Sequence, residues 1–125
     1  MTMKKVLIVD DSPTIRKLLR YALRRKSYMT EEAEDGLDAM EKLSGSQIDL
    51  VIVDLNMPNM DGISFVKSLR SGYYNLDVPV IMLTTTSDSE LKEEAYGAGI
   101  NMFLTKPIKP EILLDKIETL LGGGV

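Results

Sequence analysis

The amino-acid sequence predicts an α/β fold in which one parallel five-stranded sheet carries helices on both faces. Two observations lead there. Three short apolar runs, Val6–Val9, Ile48–Val53 and Val78–Leu83, are almost unbroken rather than alternating, and such runs suit strands covered on both faces. Segments with apolar residues at helical spacing separate them, so that strand is followed by helix five times. That alternation selects crossover connections and parallel pairing. At 125 residues the chain is expected to form a single domain, 1–125, with 122–125 a flexible tail or linker remnant.

Each element has its own local reason. Val6–Val9, bounded by Lys5 and Asp10, is the first strand. Ser12 then caps a helix whose first turn tolerates Pro13, and Ile15, Leu18, Leu19, Ala22 and Leu23 form its inward stripe. Arg16, Lys17, Arg20, Arg24 and Arg25 take much of the other face. Tyr28–Ala33 alternates polar and apolar residues, as a half-exposed edge strand does. Asp35-Gly36 turns the chain into a short helix, Leu37–Leu43, with Ala39, Met40 and Leu43 inward and Gly45 ending it. Ile48–Val53 is the third strand, closed by Asp54. The run from Asn56 to Gly62, with Asn, Pro, Asn, Asp and Gly in seven positions, must be a loop. A helix over Ile63–Arg70 packs Phe65, Val66 and Leu69. Gly72–Asp77 is a loop, and Val78–Leu83 is the fourth strand, with Pro79 tolerable near its start. Ser87 or Asp88 caps a helix to about Ala98, where Gly99 suits the C-terminal turn. Asn101–Thr105 is the fifth strand, and Pro110–Leu121 the last helix, with Ile112, Leu113, Ile117 and Leu120 or Leu121 inward. A polar second strand at one edge and a buried first strand at the centre give the order 2-1-3-4-5, the flavodoxin-like (βα)5 three-layer arrangement.

Composition removes whole classes of chemistry. There is no cysteine, which excludes disulfides, thiolate catalysis and Cys-held zinc or iron–sulfur sites. There is no histidine, which excludes histidine general bases and histidine-held metals. A metal here must be held by oxygen, pointing to magnesium, manganese or calcium. Fifteen basic against nineteen acidic residues give a formal charge of −4, which argues against nucleic-acid binding through bulk electrostatics. No apolar run approaches the roughly 20 residues of a membrane span or the pattern of a signal peptide. The composition is that of a cytoplasmic soluble domain.

The chemistry concentrates where strands end. Asp10 and Asp11 follow the first strand and Asp54 the third; parallel strands bring their C-terminal ends to one edge, where open α/β sheets bind ligands. Three carboxylates meeting there repel one another unless protonated or bridged by a cation. Mg²⁺, with Mn²⁺ as a substitute, fits an all-oxygen site of few protein ligands. Thr84 ends the fourth strand and Lys106 follows the fifth, adding a hydroxyl and a positive charge. That set suits phosphoryl transfer to an aspartate, with the cation and the lysine neutralising phosphoryl oxygens.

In this order and on these strand ends, Asp10-Asp11-Ser12-Pro13, Asp54-Leu55-Asn56-Met57-Pro58-Asn59-Met60-Asp61-Gly62, Thr84 and Lys106-Pro107 resemble the receiver domain of two-component response regulators over essentially the full chain. The resemblance implies that Asp54 accepts a phosphoryl group from the phosphohistidine of a histidine kinase or phosphotransfer protein. It implies that Asp10, Asp11, Asp54 and the backbone carbonyl of Asn56 hold Mg²⁺. Thr84 and Lys106 would assist, Lys106-Pro107 would be a cis peptide, and Asn56 and Thr86 would border the water that resets the switch. Thr84 and Phe103 would form the switch pair. Tyr96, Met102 and Ile108 would lie near an output face built from the fourth helix, fifth strand and fifth helix, where a downstream protein binds. The chain would be a monomer or a weak, phosphorylation-promoted dimer.

The missing histidine means this chain cannot itself be the phosphohistidine donor. No DNA-reading module is visible after the fifth helix, so the expectation is a stand-alone, chemotaxis-like receiver or a receiver cut from a longer transcriptional regulator or hybrid kinase. An aspartate-nucleophile phosphatase is the main alternative, but it wants an acid two positions past the nucleophile, where Asn56 stands. A nucleotide-binding module of similar fold wants a glycine-rich or hydroxyl-rich first loop, where Asp10-Asp11 places negative charge instead.

Overall fold

In the computed structural model, which describes residues 3–71 and 77–122, strand and helix alternate five times. The elements are β1 (Lys5–Val9), α1 (Pro13–Arg25), β2 (Met29–Ala33), α2 (Gly36–Gly45), β3 (Leu50–Asp54), α3 (Gly62–Arg70), β4 (Val80–Thr84), α4 (Ser89–Ala98), β5 (Met102–Thr105) and α5 (Pro110–Leu121). Every strand pair is parallel, and the order is β2-β1-β3-β4-β5. The expected loop over Gly72–Asp77 lies, apart from Asp77, outside the described residues, as does the expected tail beyond Gly122.

The period of two along each central strand divides the core into two layers. Leu7, Val9, Val51, Val53, Val80 and Met82 face α2, α3 and α4, where Ala39, Met40, Phe65, Val66, Leu69, Ala95 and Ala98 close over them. Val6, Ile8, Leu50, Ile52, Ile81 and Leu83 face α1 and α5, meeting Leu19, Leu23, Leu113 and Ile117. These central strands are apolar on both sides because both sides are covered. β2, with one neighbour, leaves Met29 exposed and Thr30, Glu31 and Glu32 half-buried.

Helix starts follow their caps. The Ser12 hydroxyl accepts the Ile15 N–H at 3.3 Å, and Asp35, Asp61 and Asp88 accept the N–H groups of Asp38, Ser64 and Glu90 at 2.8, 2.9 and 2.9 Å. α4 ends on Gly99 at φ 118°, a left-handed conformation that a side chain would strain.

Four expectations shift in ways that bear on the site or the core, beside moves of one or two residues at the ends of β2, α2, α3 and β5. β3 and β4 begin two residues later than their apolar runs and each extends one residue further, so Asp54 and Thr84 lie inside strands. The pairing continues because Leu55 N–H bonds to Leu83 O at 2.9 Å and Lys106 N–H to Thr84 O at 2.8 Å. Leu18 and Ile112, expected inward, are 45 % and 46 % exposed. Each neighbours a fully buried residue, Leu19 or Leu113, and one step along a helix turns a side chain by about 100°. That rotation places both on the rim of the buried stripe.

Candidate functional site

β1, β3, β4 and β5 all deliver their C-terminal ends to one edge, and the polar residues of the sequence collect there. Asp10, just past β1, is 1 % exposed; Asp54, closing β3, is 5 % exposed; Asp11 stands exposed between Asp10 and the cap of α1. One carboxylate oxygen from each of the three lies within 4.8 Å of the others. Lys106, carried in from β5, places Nζ 3.3 Å from Asp10 Oδ2 and 3.2 Å from Asp54 Oδ1. The Lys106–Pro107 bond is cis.

Burial, backed by the negative charge of Asp10, pushes the Asp54 carboxyl above its ordinary value; Lys106 and the Asn56 N–H draw it back without cancelling. Burial pulls the Lys106 ammonium down, but Asp10 and then Asp54 outweigh it and leave it raised. One ammonium thus serves two carboxylates, with Asp11 alongside. The local excess of negative charge and the all-oxygen donor set fit a hard cation.

Thr84 is fully buried on β4, one position past Leu83, which pairs with Asp54. Its hydroxyl accepts the Thr86 N–H at 3.0 Å, and the Thr86 hydroxyl accepts the Asp88 N–H at 3.1 Å. Asn56 is exposed, two residues after Asp54. Phe103 stands apart from the carboxylates. It is half-buried in β5 opposite Met82, with Tyr96 at 6.0 Å between ring centroids and Lys92 Nζ 5.7 Å from its own centroid.

Several supporting contacts were not marked by the sequence pattern. Asp10 Oδ1 accepts the Ser12 N–H at 2.9 Å, and Asp10 O accepts Arg16 Nη1 at 2.6 Å. Asn59, at φ 69°, donates its amide to Asp35 Oδ2 at 2.8 Å and so ties the loop after Asp54 to the cap of α2. Gly62 comes so close to the Asp54 backbone that a Cβ would sit 2.6 Å from Asp54 O and 3.0 Å from Leu55 Cα. Ser12, Asp35, Asn59 and Gly62 stand at caps, turns and loops the sequence marks, but the partners they take, and the reach of Arg16 to Asp10 O, have no signal in the spacing along the chain.

Comparison with known proteins agrees with this geometry. The family model for the response regulator receiver domain matches residues 6–118. The chemotaxis protein CheY1 of Helicobacter pylori is 39% identical over 120 residues, which cover 94% of this chain and 97% of that protein. The solved structure of Vibrio cholerae chemotaxis protein CheY4 superposes with a TM-score of 0.90 at 39% identity, covering 96% of this chain and 100% of that one. The sensor protein EvgS of Escherichia coli is 37% identical over 115 residues, 92% of this chain and 9% of that protein.

The chain belongs to the response regulator receiver domain family. It is a CheY-like receiver, a phosphorylation switch built around the Asp10, Asp11 and Asp54 cluster, and the family's phosphoryl donors are histidine kinases and phosphotransfer proteins. Among the described residues, no helix is long and apolar enough to cross a membrane.

Proposed function

We propose that Asp54 is the phosphoryl acceptor and that the chain works as one cytoplasmic, chemotaxis-like receiver domain passing its state to a protein partner. The observation that carries this is the pairing of buried Asp54 with Lys106 at 3.2 Å, beside two more carboxylates, on the edge where all the central strands end. An Asp54 carboxylate oxygen forms a bond to phosphorus as the bond from phosphorus to the donor's histidine nitrogen breaks, and the electron pair leaves with the ring. Water later attacks, releasing phosphate and restoring the carboxylate.

The residues divide the work. Asp10, Asp11, Asp54 and the Asn56 carbonyl hold Mg²⁺, which when bound supplies the positive charge that three carboxylates and a phosphoryl group require. Lys106 neutralises a phosphoryl oxygen from the side of β5. Thr84 leaves its bond from Thr86 to donate to another, and Phe103 responds in the space behind it. Asn56 and Thr86 border the approach of water and set the lifetime of the acyl phosphate. The face of α4, β5 and α5 carries the output, with Tyr96, Met102 and Ile108 near the contact. The shift is a change in the balance of two pre-existing arrangements.

Incubation with acetyl phosphate and Mg²⁺ is expected to add about 80 Da, one phosphoryl group, to the intact protein. Asp54→Asn is expected to remove that gain. Labelling of Asp54→Asn to the parent's extent at the same site would overturn the assignment.

A further inference from the structure

Arg16 lies in the first turns of α1, and its side chain is largely covered, 18 % exposed. It grips from two sides. Nη1 donates to the backbone carbonyl of Asp10 at 2.6 Å, and Nε donates to Glu32 Oε1 at 3.2 Å. Glu32 belongs to β2, opposite Ile8 of β1, and its second carboxylate oxygen accepts Arg20 Nη1. Two turns of α1 are thereby strapped to the edge strand through one carboxylate.

The carbonyl that Arg16 holds belongs to the peptide joining Asp10 to Asp11. Asp10 itself is fixed by other means. Its N–H donates to Ala33 O at 3.1 Å, Oδ1 accepts the Ser12 N–H, and Oδ2 accepts Lys106. Asp11 is exposed, so the direction in which its carboxylate points depends on the peptide before it. Arg16 orients that peptide with a planar, two-sided donor set that a lysine does not reproduce.

We infer that Arg16, braced by Glu32, is a positioning residue for divalent-cation binding, aiming the Asp10–Asp11 peptide so that Asp11 meets the cation. This rests on the proposed Mg²⁺ site and adds to it two residues that touch no ligand. Groups that orient metal ligands are commonly worth roughly 10–100-fold in affinity.

The inference makes a prediction opposite to simple charge. Arg16 is a cation beside an acidic cluster, so by Coulomb repulsion alone its loss should strengthen Mg²⁺ binding. Positioning predicts that its loss weakens it.

The test is calorimetric titration of the full chain with MgCl₂, on the parent, Arg16→Met, Arg16→Lys and Glu32→Gln, each first shown folded by its circular dichroism. Arg16→Met is expected to lose about 10-fold in Mg²⁺ affinity. Arg16→Lys, which keeps the charge but not the fork, and Glu32→Gln, which keeps Arg16 but frees it, are expected to lose less. The phosphorylation deficit of Arg16→Met with acetyl phosphate is expected to shrink as Mg²⁺ is raised.

Affinity unchanged or tighter in Arg16→Met, with the parent binding normally, overturns the role of Arg16 and leaves the acceptor site intact. A parent that binds no Mg²⁺ overturns the cation site and this inference together. If Arg16→Met does not fold, Arg16→Lys and Glu32→Gln decide, and parental affinity in both overturns the inference.

Discussion

Asp10, past the end of central strand β1, and Phe103, within lateral strand β5, are held by different kinds of force. Asp10 is fixed by directional bonds: its N–H, its carbonyl and both carboxylate oxygens have partners, from β2, α1, the cap of α1 and Lys106. Phe103 is half-buried in an edge strand of four residues, leaning on Tyr96 and Lys92 and on the core beneath α4. Hydrogen bonds lose strength within a few tenths of an ångström and with modest changes of angle, whereas apolar contact is non-directional. Asp10 is therefore held by bonds that tolerate little displacement, and the Phe103 ring by contacts that tolerate more. That division suits a domain that must first do chemistry at a fixed point and then report it.

The comparison is tested most severely at Gly62. An added Cβ would meet the Asp54 carbonyl and the Leu55 backbone, neither of which is a flexible side-chain end. Gly62→Ala is expected to lose about 2–3 kcal/mol in urea denaturation, as overpacking does. Wild-type stability in that variant would show that the acidic side yields as readily as the surroundings of Phe103.

A smaller effect is expected at Asp35, which caps α2 and receives the Asn59 amide. Asp35→Ala is expected to cost about 1–2 kcal/mol by thermal melting. It should also slow phosphorylation, because the loop carrying Asn56 loses its tie to α2.

The two kinds of aspartate also respond to pH with opposite sign. Asp54 is raised above 3.8, so between 3.8 and its folded value the folded protein keeps a proton that the unfolded chain has released. Its contribution to stability therefore falls as pH rises through that window. Asp35 and Asp61 are lowered below 3.8 by the N–H groups they cap, so their contribution is full above 3.8 and is lost as pH falls through their folded values. Urea denaturation of Asp54→Asn is expected to show higher stability than the parent at neutral pH, the advantage fading as the parent's Asp54 takes up its proton. Coincident curves would mean that the acidic cluster stores no strain.

The smallest effect is expected at Lys92. Its ammonium faces the Phe103 ring, an arrangement worth about 0.5–1 kcal/mol at exposed sites. Lys92→Ala is expected to cost no more than that in stability while changing the chemical shifts around Phe103. A larger loss would place Phe103 among the rigid parts of the molecule and remove the contrast with Asp10.

Legibility in the sequence follows the same division. β1, β3 and β4 were readable because strands covered on both faces must be apolar on both, and β2 because an edge strand need not be. Asp10, Asp11, Asp54, Thr84 and Lys106 were readable as one site because parallel strands end together, so position after an apolar run translates directly into place in space. Leu18 and Ile112 were misread because a helical stripe has a rim, and which rim residues are covered depends on the neighbouring element.

By itself, then, the sequence determined the alternation of elements, the order of the sheet and the edge at which the charges meet, since all three depend on local patterning and on the handedness of crossover connections. Only the tertiary structure decided which residues brace that edge. Arg16 reaches across to Glu32 of β2, Asn59 to Asp35, and Gly62 presses on the backbone of Asp54. These are contacts between segments whose registration is set by packing and not by any spacing along the chain, so their partners become visible only when the layers are assembled.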